Sequence, residues 1–155
     1  MWWYPHSESW VGSQFYPILH GDRYSLLKAV LKDDVELIDK IVDENKFDIN
    51  SPLDLLQGVN AATIAAEYDK LEMLHYLHLK GADINNGSGK FKITPLMAAV
   101  NRWNPWIVEY LLEQGVDQSV KDVFGFTALD KAKARNLKTI TIMLKNPPKV
   151  NSEEI

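Results

Sequence analysis

Large apolar side chains along this chain fall into four clusters, and the clusters repeat. Leu37, Ile38, Ile41 and Val42 form the first; Met73, Leu74 and Leu77 the second; Ile107, Val108, Leu111 and Leu112 the third; Ile140, Met143 and Leu144 the fourth. Spacings of one, three and four put each set on one side of a 3.6-residue helix. Ahead of the last three clusters lies a shorter segment carrying Ala65 and Ala66, Ala99, or Ala132. These small side chains predict a first helix of about two turns that lets its neighbours approach closely. Gly81 and Gly115 follow two of the larger stripes, where a residue free to enter left-handed backbone ends a helix well. The pattern therefore predicts helix pairs, none of which could hide its apolar face without a neighbouring pair.

The pairs share a period. Thr94 and Thr127 lie 33 residues apart, and "TPLMAAV" against "TALDKAK" repeats a turn-forming Thr, a Leu two residues on and a deeper Ala. The segment "NAATIAAEYDKLEMLHYLHLKGADIN" (60–85) fits the same frame, and "YSLLKAVLKDDVELIDKIVDENKFDIN" (24–50) is a looser copy. Four units follow, at about 24–59, 60–93, 94–126 and 127–146, between an aromatic-rich arm (1–23) and a polar tail (147–155) that begins where Pro147 stops the last helix.

These residues resemble the ankyrin-repeat family, whose unit carries Thr-Pro-Leu, paired alanines, an apolar second helix, then Gly-Ala-Asp-Val-Asn and a hairpin. The matching residues are Thr94, Pro95, Leu96 and Ala99; Gly81, Ala82, Asp83, Ile84 and Asn85; Gly115 and Asp117; and Asp122, Gly125 and Thr127. The resemblance covers roughly 24–146 and implies an all-α solenoid of helix-turn-helix units joined by hairpin loops. It departs from the family at Tyr24 and Ser25, at Asn45 with Lys46 in place of a helix-ending Gly, and at Asn60-Ala61-Ala62 in the second unit. The first unit is thus expected to be a degenerate cap or a somewhat different helix pair. The resemblance also implies that Asn85 either bonds the turn backbone or serves as a hydroxylation target.

Trp103 and Trp106 are out of keeping with such a unit. Asn104-Pro105 reads as an N-cap followed by the first helical residue, so Trp103 falls in the short link between helices. The equivalent places hold Asp69 and Asn136, which tolerate left-handed backbone far better than Trp does. Either the link is reshaped or Trp103 is retained despite strain. The two rings either cover the end of the helix pair or form an exposed anchor for a partner.

The resemblance places partner contacts on the hairpin tips and on the inner face of the first helices. Here those places hold Phe91, Lys92 and Ile93; Val123, Phe124 and Phe126; Tyr68; and Asn101 with Arg102. "KFKI" and "VFGF" alternate apolar residues where a tip facing only water would be polar. Two adjacent hairpins are expected to form an apolar strip led by Phe91 and Phe124 and flanked by Lys90, Arg102 and Lys121. Phe126 and Ile93 either join it or pack beneath their own hairpins. In the arm, Trp2, Trp3, Tyr4, Trp10, Phe15 and Tyr16 lie among Pro5, Gly12 and Pro17 without helical or strand period. Such rings are expected either to cap the first unit or to dock on another molecule, with Trp2, Trp3 and Trp10 as contact candidates.

Composition narrows the function classes. Of 155 residues, 46% are hydrophobic, and 17 Lys and Arg stand against 21 Asp and Glu for a net charge of -4. With no basic face to displace counterions, nucleic acid is not an expected partner. The absence of cysteine removes disulfides, thiolate nucleophiles and Cys-based metal sites. No apolar run approaches the roughly 20 residues of a membrane span, and the first 22 residues hold no Lys or Arg, unlike a secretory or Arg-rich transit segment. His75 and His78 share a helix face three residues apart, but no further His or Cys is spaced to complete a metal site. "GSG" (87–89) belongs to a hairpin turn rather than a phosphate loop. The expectation is a protein that is not an enzyme and needs no cofactor or metal. Its partners would be other protein subunits, without membrane contact or a sign of homo-oligomers, in an intracellular setting that is cytoplasmic by default. Its role would be that of a small adaptor subunit in a multiprotein assembly; the alternative is a freestanding regulator that masks one partner through its concave face.

Overall fold

The computed structural model describes residues 21–53 and 58–149. Eight α-helices run through them: α1 (Gly21–Lys32), α2 (Val35–Asp39), α3 (Ala61–Glu67), α4 (Leu71–Leu79), α5 (Pro95–Asn101), α6 (Pro105–Glu113), α7 (Ala128–Ala134) and α8 (Lys138–Lys145). They pair in sequence into four helix-turn-helix units. The first helices, α1, α3, α5 and α7, contact one another in order, and each backs onto its own second helix. Among the described residues there is no sheet, only one isolated antiparallel bridge between Ser88 and Ile93.

The first helices of the last three units, α3, α5 and α7, each start on a side chain that supplies an acceptor to a free amide. Asn60 accepts from the Thr63 N–H at 3.0 Å, Thr94 from Met97 at 3.1 Å and Thr127 from Asp130 at 3.2 Å. Asp130 returns the favour to the Thr127 N–H at 3.0 Å, completing a capping box. Asn60 thus does the work of the missing Thr-Pro-Leu in the second unit. Behind these caps Ala61, Ala62, Ala65, Ala66, Ala98, Ala99, Ala128 and Ala132 are all buried, which is why the row of first helices can close up. The larger stripes bury Ile38 and Ile41; Met73, Leu74 and Leu77; Ile107, Val108, Leu111 and Leu112; and Ile140 and Leu144, with Leu37, Val42 and Met143 half-buried at its edge.

The four units turn at one recurring backbone conformation. Asp33, Asp69, Trp103 and Asn136 lie between the paired helices with φ of 59°, 62°, 59° and 56°. The link at Trp103 is therefore not reshaped; a Trp is held in left-handed backbone that costs a non-glycine residue about 1–2 kcal/mol. Three further left-handed residues close the second helices of the first three units: Lys46, Gly81 and Gly115. In the first unit, residues 34–45 separate these two turns, one residue more than 70–80 or 104–114. The extra residue is absorbed as a π-helical turn over Lys40–Glu44, in which the Asn45 N–H reaches the Lys40 carbonyl at 3.0 Å. That is the physical form of the first unit's degeneracy.

Polar contacts tie unit to unit. Asn50 Oδ1 accepts the Asp83 N–H and Asn85 Oδ1 accepts the Asp117 N–H, both at 2.7 Å. Arg102 Nε donates to the Glu67 carbonyl at 2.7 Å, and Arg135 Nη1 to the Asn101 carbonyl at 2.9 Å. Lys70 pairs with Asp33 at 2.5 Å, while Lys80 pairs with both Asp39 and Asp43 at 2.6 Å, joining the second helices of the first two units.

Candidate partner-binding surfaces

Because α5 and α7 each begin just after a hairpin and end at an interhelical link, hairpins and links lie at opposite ends of these helix pairs. In the third unit the seven residues of α5, about 10 Å of helix, separate them. The candidate residues divide between these two ends. Phe91, Phe124 and Phe126 belong to the hairpins; Tyr68 and Arg102, the C-terminal caps of α3 and α5, stand with Trp103 at the links. Trp2, Trp3 and Trp10 lie outside the described residues.

At the hairpin end the Phe91 and Phe124 rings stack, with centroids 6.1 Å apart and planes 25° from parallel. The Val123 N–H donates to the Phe91 carbonyl at 3.0 Å, so the two tips are joined by backbone as well as by rings. Phe124 is 68% exposed, and Val123 and Phe126 are also exposed. Phe126 therefore joins the strip rather than packing beneath its hairpin, whereas Ile93 is half-buried against the core. Lys90 Nζ lies 4.8 Å from the centre of the Phe91 ring, and Lys90, Lys92 and Lys121 are all exposed around the strip. Arg102, expected as a flank, is instead at the far end of α5 with its Nε committed to Glu67.

The tip that holds Phe124 outward is built on Asp122, a residue that sequence reasoning assigned no role beyond a family match. Its Oδ1 accepts the amides of both Phe124 and Phe126 at 2.9 Å. Oδ2, which no well-angled hydrogen bond reaches, faces Lys131 Nζ at 2.5 Å as an ion pair. Burial pushes the Asp122 carboxyl up, but Lys131 and the two amides outweigh it and hold the group below its ordinary value. An Asp followed two residues later by an apolar tip, then Gly and Thr, was the legible signal of this turn. In the neighbouring hairpin the Ser88 and Ile93 backbones exchange hydrogen bonds at 2.9 and 3.0 Å, and Lys92 takes a φ of 54° at the tip. Gly87 passes so close to the Lys92 carbonyl that a Cβ there would collide with it. "GSG" is thus a structural turn.

At the link end, Trp103 and Trp106 are 65% and 70% exposed, and Tyr68 is 55% exposed. Neither indole covers the end of its helix pair. The Asn104 side chain caps α6 through the Ile107 N–H at 3.0 Å, with Pro105 as the first helical residue. On the outer helices, His75 and His78 each place Nδ1 against the Tyr110 hydroxyl of the next unit, at 3.2 and 3.1 Å, and burial pushes the Tyr110 phenol up. Both histidines are thus engaged in a contact between units. Among the described residues no group of three or more His, Asp or Glu is arranged to hold a metal ion, and no helix is long and apolar enough to cross a membrane. Asn85 is exposed, with its Oδ1 committed to the Asp117 amide.

Comparison with known proteins agrees with this architecture. A family model described as "Ankyrin repeats (3 copies)" matches residues 26–122 and, overlapping, 62–154. The chain is 32% identical over 101 residues to a palmitoyltransferase, AKR1, of Lachancea kluyveri, covering 65% of this chain and 14% of that protein. It is 31% identical over 111 residues to the E3 ubiquitin-protein ligase hecd-1 of Caenorhabditis elegans, covering 72% of this chain and 4% of the ligase. The ankyrin repeat and SAM domain-containing protein 6 of Rattus norvegicus is 32% identical over 110 residues, 70% of this chain and 12% of its own length. The chain thus spans only a small part of these relatives.

Proposed function

Since this chain belongs to the ankyrin-repeat family, we propose that it is a non-catalytic protein-binding module acting as a small adaptor or structural subunit of a larger multiprotein assembly. The observation that carries this reading is the Phe91–Phe124 stack on two joined hairpin tips. A soluble scaffold gains little by holding Phe124 in water; a partner that covers the pair removes its apolar surface from solvent. The three exposed lysines around the rings favour a partner segment whose apolar side chains are flanked by carboxylates. Among the described residues His75 and His78 serve a contact between units, and Asp122 is taken up by its turn.

The test is native co-purification from the source cell with size-exclusion chromatography, for the full chain, for Phe91→Ser/Phe124→Ser, and for a form lacking residues 1–16. A subunit elutes in a large complex of fixed composition, and both changes release it while the repeats stay folded. Co-purification at full yield without the arm, together with a single substoichiometric companion lost only in the double Ser variant, would overturn this reading in favour of a freestanding regulator that masks its partner through the concave face.

A further inference from the structure

The link end carries a second surface whose chemistry is opposite to that of the hairpins. Two open cavities meet at Trp106. One, of about 390 Å3, runs between Asp69, Arg102, Trp103 and Trp106. The other, of about 460 Å3, lies between the outer helices α4 and α6 and takes in Glu72, His75, Trp106, Glu109 and Glu113. Four carboxylates border the two cavities against one guanidinium, and that one, Arg102, already donates Nε to the Glu67 carbonyl. Asp69, Glu72, Glu109 and Glu113 form no ion pair with another described residue, whereas Lys70, just beyond the rim, is paired with Asp33. Glu109 and Glu113 stand one turn apart on α6, a like-charge spacing that mildly disfavours the helix.

We infer that the edge built from Trp103, Trp106 and the surrounding carboxylates is a docking surface for a peptide segment rich in arginine or lysine. Aromatic faces and acidic flanks select the same occupant. A guanidinium lying over the Trp106 indole gains a cation–π contact, while Glu72 and Glu109 offer it charge-assisted hydrogen bonds from either side of the groove. An acidic or purely apolar segment meets uncompensated carboxylates instead. Trp103 adds to the same edge an exposed indole kept at φ 59°, the conformation for which the other three units use Asp or Asn. Asp or Asn takes that backbone at less cost than Trp, and residues held at such cost concentrate where they serve function. The surface does not depend on the hairpin strip, from which a helix length separates it.

The experiment is isothermal titration of the full chain with a capped octapeptide of alternating arginine and serine, at low salt. Saturable one-to-one binding is expected. It should weaken roughly three- to tenfold in Trp106→Ala and at least as much in Glu72→Gln/Glu109→Gln. Glu36→Gln/Glu44→Gln, which removes the same charge from the first unit, should leave it unchanged, as should Phe91→Ser/Phe124→Ser. Absence of binding, or equal weakening by the two Glu-to-Gln pairs, would overturn the proposal, since the second outcome is general attraction to an acidic protein. Sedimentation equilibrium supplies a separate check: a dimer dissociated by Trp106→Ala would make a second copy the occupant and sink the basic-peptide assignment.

Discussion

The Asp122 carboxylate and the Lys131 ammonium meet at 2.5 Å across the base of the last hairpin, with the Asp122 side chain fully buried and that of Lys131 half-buried. This pair connects the surface strip to α7, because the same carboxylate holds the amides of Phe124 and Phe126. Its carboxyl lies below the ordinary 3.8, so the ionised form favours the folded state. That contribution is fully present above the unfolded value and is lost as pH falls through the folded one. Asp122→Asn should therefore have a lower urea midpoint than the parent near neutral pH, with the gap closing on acidification below about 3.8. A gap that stays constant between neutral and acid pH would mean that the charge on Asp122 does not matter.

Phe91→Ser/Phe124→Ser separates binding from folding. The stacked pair is worth about 0.5–1.5 kcal/mol beyond burial; Phe124 is largely in water already but Phe91 is half-buried, so the stability loss should be about 1–3 kcal/mol. Partner capture should disappear. Full capture by a folded double variant would remove the hairpin strip from the account.

Much of this organisation was legible in the sequence because it rests on local rules. The cap at Asn104, the turn-forming Thr94 and Thr127, the small alanines and the four apolar stripes follow from helix periodicity and side-chain chemistry, which a single unit contains. What was not legible depends on contacts between units or on counting across them. Phe126 looked equally suited to a core or a surface place, and only the Asp122 turn decides that it faces out. Lys46 stood visibly where a Gly was wanted, yet the π-helical turn that precedes it appears only when the first unit's second helix is measured against the others. The resemblance places Tyr68 and Arg102 on the inner face of the first helices; that they are the C-caps of α3 and α5, at the links and a helix length from the hairpin phenylalanines, takes the helix ends themselves to show. Trp106 was noticed, but its acidic surroundings come from α4 and α6 together, 34 or more residues apart in places.

Trp103→Gly should raise stability rather than lower it. Relief of left-handed backbone returns about 1–2 kcal/mol, part of which glycine gives back as unfolded-chain entropy. A net gain of roughly 1 kcal/mol is expected in the urea midpoint, with Trp103→Asn gaining less. A loss of stability in both variants would show that the indole supports the fold, as a ring covering the end of the helix pair would.

Asn85 provides the sharpest test of how the units are joined. Its Oδ1 accepts the Asp117 amide at 2.7 Å, as Asn50 Oδ1 accepts that of Asp83, so one column of side-chain acceptors runs along the turns of three units. Asn85→Ala leaves the Asp117 N–H to water and should cost about 1 kcal/mol. Asn85→Asp keeps an acceptor at the same place and should recover most of that loss. Asn50→Ala should cost at least as much, because Asn50 also donates Nδ2 to the Gly81 carbonyl at 3.3 Å. Hydrogen exchange locates the effect: in Asn85→Ala the Asp117 amide should lose protection while that of Asp83 keeps it. If both amides lose protection together, the column opens as one cooperative unit, and the contacts between units rather than single bonds set its stability.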